Sequence, residues 1–332
     1  MHHPRRRALA AGLAGAALLA AAPGALLAQP AFPSKPIRII VPYPPGGATD
    51  VAARLLAPRL QEELKQTVVV ENRPGASGNL GMVTLLQSPA DGHTLAMSLT
   101  GMLSINPVTF SKAGFTAADF VPVARVSLAP LVLVVPPDSP FKTVGDLVAA
   151  GKAAGKGGLP YGSAGAGGLS HLASEMLNAQ ASGHYTHVPY KGGAPLAQAL
   201  MTGEVKWGLL GTADARSFIQ AGKLKALGQL RATRSELWPD VPTLTEQGSP
   251  GGVDFDVWFG LVAPAKTPTA AVQLINQKVA QIVTEPEFRK RLNDIGGVSP
   301  MTGNTPAAFN EVLQREVTVL SKAAKDLGLQ LD

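Results

Sequence analysis

Three loops hold most of the residues that could do chemistry: PPGGATD (residues 44–50), NRPGASGNLG (72–81) and YGSAGAGGLSHLASE (161–175). Each follows an apolar run and leads into a helical pattern. Glycine between a strand and a helix lets the backbone come close to a ligand, and the free amides at a helix start favour negative charge. The chemistry that suits them is the holding of an anion. Ligands of open α/β sheets sit beyond the carboxyl ends of the strands, so the three turns are expected to gather at one cleft.

The side chains around these turns allow several readings. Lys191, in VPYKGGAP, sits between a strand and a helix, where a cation meets an acidic ligand or stays solvated. Asp50 could cap its helix, orient the turn through hydrogen bonds, or receive an amino group or water. Ser163 and His171 could form a hydrolase pair, the alternative function, but Tyr161 stands where the nucleophile-elbow pattern needs its first glycine. No Gly-Lys is followed by Ser or Thr, which removes the phosphate-binding P-loop, and Gly165, Gly167 and Ser170 miss the third glycine of a dinucleotide fingerprint. His184 and His187, three apart on one expected strand, turn to opposite faces, and His93 reads as a surface turn residue, so no metal site is expected. No cofactor is expected either.

Positioning these residues takes an exported α/β chain. Residues 1–28 join a basic start, HHPRRR, to an apolar run and a small-residue ending, a secretory leader with its cut near Ala28. Arg6 and Arg7 leave the twin-arginine route open beside general secretion. Zero cysteines exclude disulfides and thiol chemistry, and the net charge of +6 depends partly on three leader arginines. The remaining charge is too mild and scattered for nucleic acid, and aromatics are only 5% of the chain.

Beyond the leader, β-branched runs alternate with helical patterns, which predicts α/β with largely parallel sheets. Strands are expected at residues 37–41, 68–71, 95–98, 131–135, 185–188, 205–210 and 225–228. Helices are expected at residues 49–65, with Pro58 kinking or restarting the first, at 169–180, between Pro195 and Gly203, and from Thr305-Pro306 to about Lys325. APLVLVVP (129–136) and VWFGLVAP (257–264) look like two passages of the chain between lobes. The expected division is residues 29–128 plus 262–332 in one lobe and 129–261 in the other, with a cleft that closes by a hinge.

The chain resembles the Bug-type extracytoplasmic solute-binding proteins, receptors of tripartite tricarboxylate transporters. FPSKPIRIIVPYPPGGATD, VVVENRPGASGNLG, SPADGHTL, INPVTF, YGSAGAGGLSHLASE, VPYKGGAPLAQALMTGEV, PDVPTLTEQG and WFGLVAPAKTP carry the resemblance in order along the whole mature chain. It implies a two-lobed, type II periplasmic-binding-protein fold with a hinged cleft, a small mono-, di- or tricarboxylate ligand captured for a transporter or a sensor, transporter membrane subunits as partners, a monomer in the periplasm, and no catalysis. By resemblance, Tyr43, Gly46, Gly47 and Asp50 belong to the first ligand loop, Ser77 and Gly78 to the second, and Asn106 to the NP motif. Ser163, Gly165, Ser170 and His171 match the second-lobe loop, and Tyr190, Lys191 and Gly192 the turn after its strand. The family pattern often has an acid where Lys206 stands and a Phe-Asp-Asn-like segment where LLGTAD stands; Asp214 partly replaces that acid.

Overall fold

The apolar run IRIIV forms strand β1 (Ile37–Val41), buried at four of its five positions. In the computed structural model, which describes residues 32–231, 233–248, 257–300 and 303–330, β1 lies inside the first of two five-stranded sheets. The expected leader and its cut near Ala28 lie outside the described residues. β2 (Val68–Asn72) and β3 (Thr94–Leu99) flank β1 in parallel, followed by β10 (Val257–Pro264) and β4 (Phe120–Ala129). The second sheet has the order β7 (Tyr185–Pro189), β6 (Leu159–Ser163), β8 (Trp207–Gly211), β5 (Leu131–Val135) and β9 (Lys225–Gln229).

The largely parallel expectation needs correction, for a physical reason. β10 runs antiparallel to both its neighbours, and so does β5. The parallel strands end towards the cleft. A strand that arrives from the other sheet therefore starts at the cleft and must run away from it. β4 ends at Ala129, and after Pro130 the chain begins β5 at Leu131 in the other sheet. On the return, β10 pairs along its whole length with β3 and β4, so a boundary at residue 261 would cut a hydrogen-bonded strand. The sheet changes before Val257.

Two strands escape the sequence pattern. β6 opens on Leu-Pro and closes on Gly-Ser, which imitate a turn, and Pro122, Arg125 and Ser127 interrupt the apolar run of β4. The first helix, Ala48–Leu64, neither stops nor restarts at Pro58, which faces outward. The helix Leu169–Ala181 and the terminal helix Pro306–Asp326 fall where periodicity placed them, the latter capped by the Thr305 side chain on the Ala308 amide.

Each sheet carries its own apolar packing. In the first, the Trp258 ring of β10 meets Phe309 edge-on at 4.8 Å, and Gly260 leaves space that a β-carbon would deny, at 2.7 Å from the Phe309 ring. Trp258 donates its Nε1 proton to Glu316 at 2.7 Å, while the backbone of Trp258 exchanges hydrogen bonds with Thr100. Burial lifts the Glu316 carboxyl to about 8, although the Trp258 hydrogen bond and the Arg315 and Arg125 charges pull the other way. Its Oε2 has no hydrogen-bond partner.

The sign of the linkage follows. Because the native state keeps a proton that the unfolded chain releases near 4.5, this contribution is full below that pH and is lost as pH rises through about 8. Glu316→Gln keeps an acceptor for Trp258 without an ionisable group. Its stability relative to wild type should rise by more than about 1 kcal/mol between pH 5 and pH 9 in denaturant unfolding; a difference independent of pH would show that Glu316 is not protonated in the fold.

Candidate functional site

Parallel strands ending together make the helices that follow them begin together. Four helices start at one cavity of about 880 Å³: Ala48–Leu64, Leu169–Ala181, Gly193–Met201 and Thr212–Gln220. Their N-cap residues are Gly47, Gly168, Gly192 and Gly211, and none receives a side-chain cap. By contrast Val144–Ala153 and Pro306–Asp326, whose first residues do not line the cavity, carry threonine caps at Thr143 and Thr305. A Ser, Thr or Asp at an N-cap would fold onto the first amides; glycine cannot, and the partial positive charge stays directed at the cavity.

The first loop is shaped by Asp50, which is 2% exposed. Its oxygens accept from the Gly46 amide at 2.9 Å, Arg54 Nε at 2.9 Å and Asn72 Nδ2 at 2.8 Å. Burial opposes ionisation, but the bonds from Arg54, Gly46 and Asn72 outweigh it and hold the carboxyl below its ordinary value. Asp50 thus lies inside its helix and orients the turn, and it does not line the cavity. Gly46 and Gly47 both line the cavity, but Asp50 takes the Gly46 amide, and Gly46 sits at φ +86° while Gly47 is extended.

The second loop has four consecutive residues at positive φ, Gly75, Ala76, Ser77 and Gly78. For Ala76 and Ser77 this conformation is costly and persists only where the surroundings impose it. Tyr43 and Asn106 supply that constraint, donating to the Ser77 carbonyl at 3.4 and 3.1 Å, and Asn106 also donates to Asn79 Oδ1 at 2.7 Å. Burial pushes the Tyr43 hydroxyl up to about 12, so it stays a donor. Tyr43, Ser77 and Asn106 line the cavity; Gly78 lies behind, against Met102.

In the second sheet Ser163 is fully buried, and its partner is His187, at 2.7 Å, not His171. His171 instead accepts the Gly167 amide on Nδ1 at 2.9 Å and stacks on His187 with 3.7 Å between ring centres. Burial lowers both imidazoles, His187 to about 4 with the neighbouring His171 contributing, so both are neutral at pH 7. These groups brace the loop from beneath, and neither Ser163 nor His171 lines the cavity. Gly165 and Ser170 do, with the Ser170 hydroxyl accepting from the Ala164 amide at 3.1 Å. Tyr190 is turned away to Glu204, whereas Lys191, Gly192 and Asp214 line the cavity. His93 is buried, against the surface-turn expectation, with Nδ1 3.2 Å from Asp91. Among the described residues no group of three or more His, Cys, Asp or Glu could hold a metal.

Sequence reasoning missed Thr49, Thr100 and Ser127 in the cavity wall, and also Ile295–Gly297. The last segment arrives from far along the chain, where a β-carbon on Gly296 would fall 2.7 Å from the Ala213 nitrogen. Only the glycine pair hinted at it.

Two α/β sheets with a glycine-rich, anion-suited cleft between them define a solute-binding receptor. Residues 52–329 match the tripartite tricarboxylate transporter family receptor, and the chain belongs to that family, in its Bug-type branch. It is 36% identical over 253 residues to BugT of Bordetella pertussis, covering 75% of this chain and 76% of that protein. Among solved structures, Rpa4515 of R. palustris with adipate has a TM-score of 0.78 at 31% identity, covering 90% of this chain and 98% of that one. MatC from Rhodopseudomonas palustris with bound malate has 0.76 at 29%, covering 88% and 99%. Members of the family are receptors, not enzymes, and the buried Ser163 agrees.

Asp50→Ala removes the acceptor of three donors and should cost about 1–3 kcal/mol of stability. Since the folded-state value is depressed, this contribution is present above the ordinary value of 3.8 and is lost as pH falls through the depressed one. Thermal unfolding of both proteins between pH 7 and pH 3 should show the gap narrowing in acid; a constant gap would remove the charge from the explanation.

Proposed function

We propose that this chain is a periplasmic receptor that captures a small mono-, di- or tricarboxylate in the cleft and presents it, as a monomer, to the membrane subunits of a tripartite tricarboxylate-type transporter. The observation that carries the reading is the convergence of four glycine-capped helix starts on one cavity, together with Lys191, the only cation among the described lining residues. The neighbours with adipate and malate support a carboxylate, and the leader-like residues 1–28 support export. Gly47, Ser77 and Asn106 act on one end of the ligand. Gly165, Ser170, Lys191 and Gly192 act on the other. Asp50, Gly78, Ser163, His171 and Tyr190 act through the loops they hold. The two sheets form lobes that close on the ligand by rotation about the strand passages.

A thermal-shift screen of mono-, di- and tricarboxylates tests this, because ligand at a hundredfold excess over its dissociation constant stabilises the native state by about 2.7 kcal/mol. At least one carboxylate should raise the melting temperature. Lys191→Gln should weaken that ligand about tenfold in titration calorimetry, the loss of one charge-assisted bond. A screen in which no carboxylate shifts melting would overturn the proposal.

A further inference from the structure

Lys191 and Asp214 are the two charged residues among the described lining residues of the cavity. They lie on either side of Gly193, yet their side chains form no ion pair with each other, and neither side chain bonds to another described residue. The Asp214 carboxyl lies against the bare backbone of Gly193, where a β-carbon would fall 2.2 Å from Oδ2, and close to Gly211, at 3.8 Å by the same measure. Glycine at 193 therefore makes room for the acid. The side chain is exposed to the cavity, and its partial enclosure by the neighbouring walls raises its carboxyl above the ordinary value. An unpaired acid is the wrong group for a cleft that only holds anions. Four helix starts and Lys191 attract a carboxylate, and Asp214 repels one unless the ligand brings a proton to share.

We propose that Asp214 is a specificity-determining residue that selects carboxylates bearing a hydrogen-bond donor, a hydroxyl or an ammonium, next to the carboxylate at the second-sheet end of the cavity. The carboxylate meets Lys191 and the donor meets Asp214, so the two unpaired charges are complementary to one dipolar end group. This inference rests on the carboxylate-receptor reading and narrows it. A plain dicarboxylate, whose distal end offers acceptors only, covers Asp214 and removes its water without supplying a partner, which costs affinity.

Two matched series test it by titration calorimetry: succinate, malate and aspartate, and glutarate, 2-hydroxyglutarate and glutamate. Wild type should bind a donor-bearing member about tenfold or more tightly than the plain member of its series. Asp214→Ala should abolish that preference while binding the plain member at least as well as wild type, which also shows that the variant is folded. Asp214→Asn separates the two donors. Its amide oxygen still accepts from a hydroxyl, so a hydroxy-acid preference survives, but it has no charge for an ammonium, so an amino-acid preference is lost. Equal binding of plain and donor-bearing members by wild type, or an undiminished preference in Asp214→Ala, would overturn the inference and leave the receptor reading standing. No binding of any member to wild type would count against both.

Discussion

The start of an α-helix leaves backbone N–H groups without partners inside the helix, and the molecule is arranged around where those groups are sent. In each sheet the parallel strands end on one side, the helices that follow begin there, and at four of those starts a glycine N-cap lines the cavity. Two helices that start away from the cavity, Val144–Ala153 and Pro306–Asp326, are instead closed by threonine caps. Leaving a helix start uncapped weakens that helix by something under about 1 kcal/mol. The same omission four times around one cavity creates a positive field with one basic side chain, Lys191, among the described lining residues. The mildness of the overall charge is consistent with this, since the attraction comes from oriented peptide groups.

A field of that kind is useful only if the loops hold still. The first loop is held by a buried carboxylate, the second by a tyrosine and an asparagine on a single carbonyl, and the third by two stacked neutral imidazoles and a serine. In the first and third loops the most chemically suggestive side chain, Asp50 or Ser163 with His171, faces the loop and does not line the cavity. This explains why a serine beside histidines gives no hydrolase. The Ser163 hydroxyl is occupied and enclosed.

Much of the architecture was legible along the chain, because period and punctuation agree in most places: IRIIV, LVLVV and the helix after Thr305-Pro306 lie where their patterns indicate. The failures have one origin. β6 and β4 contain Pro, Gly, Arg and Ser because their place in the sheet is secured by neighbours distant in sequence, which no local pattern records. The reversed direction of β5 and β10 follows from a change of sheet, also a non-local fact. At the site, the glycine-rich turns announced the cavity, but the partition of their residues between wall and support depends on which way each side chain turns. Asp50 and His171 look outward on paper, and Ile295–Gly297 reach the wall only through tertiary packing.

The junction between the sheets has a mechanical meaning. Between Ala129 and Leu131 stands a single residue, Pro130, whose ring fixes one of its two backbone torsions, and its carbonyl accepts both the amide and the hydroxyl of Thr212 at 3.1 and 2.9 Å. Thr212 is the first residue of the helix that carries Asp214. The joint is thus stiff in bending and attached to one wall of the cavity, so force applied at that wall is delivered to the joint through two hydrogen bonds instead of being dissipated in a loose tether. Were the lobes to rotate as proposed, contact at that one helix and movement of the junction would be linked through Thr212 and Pro130.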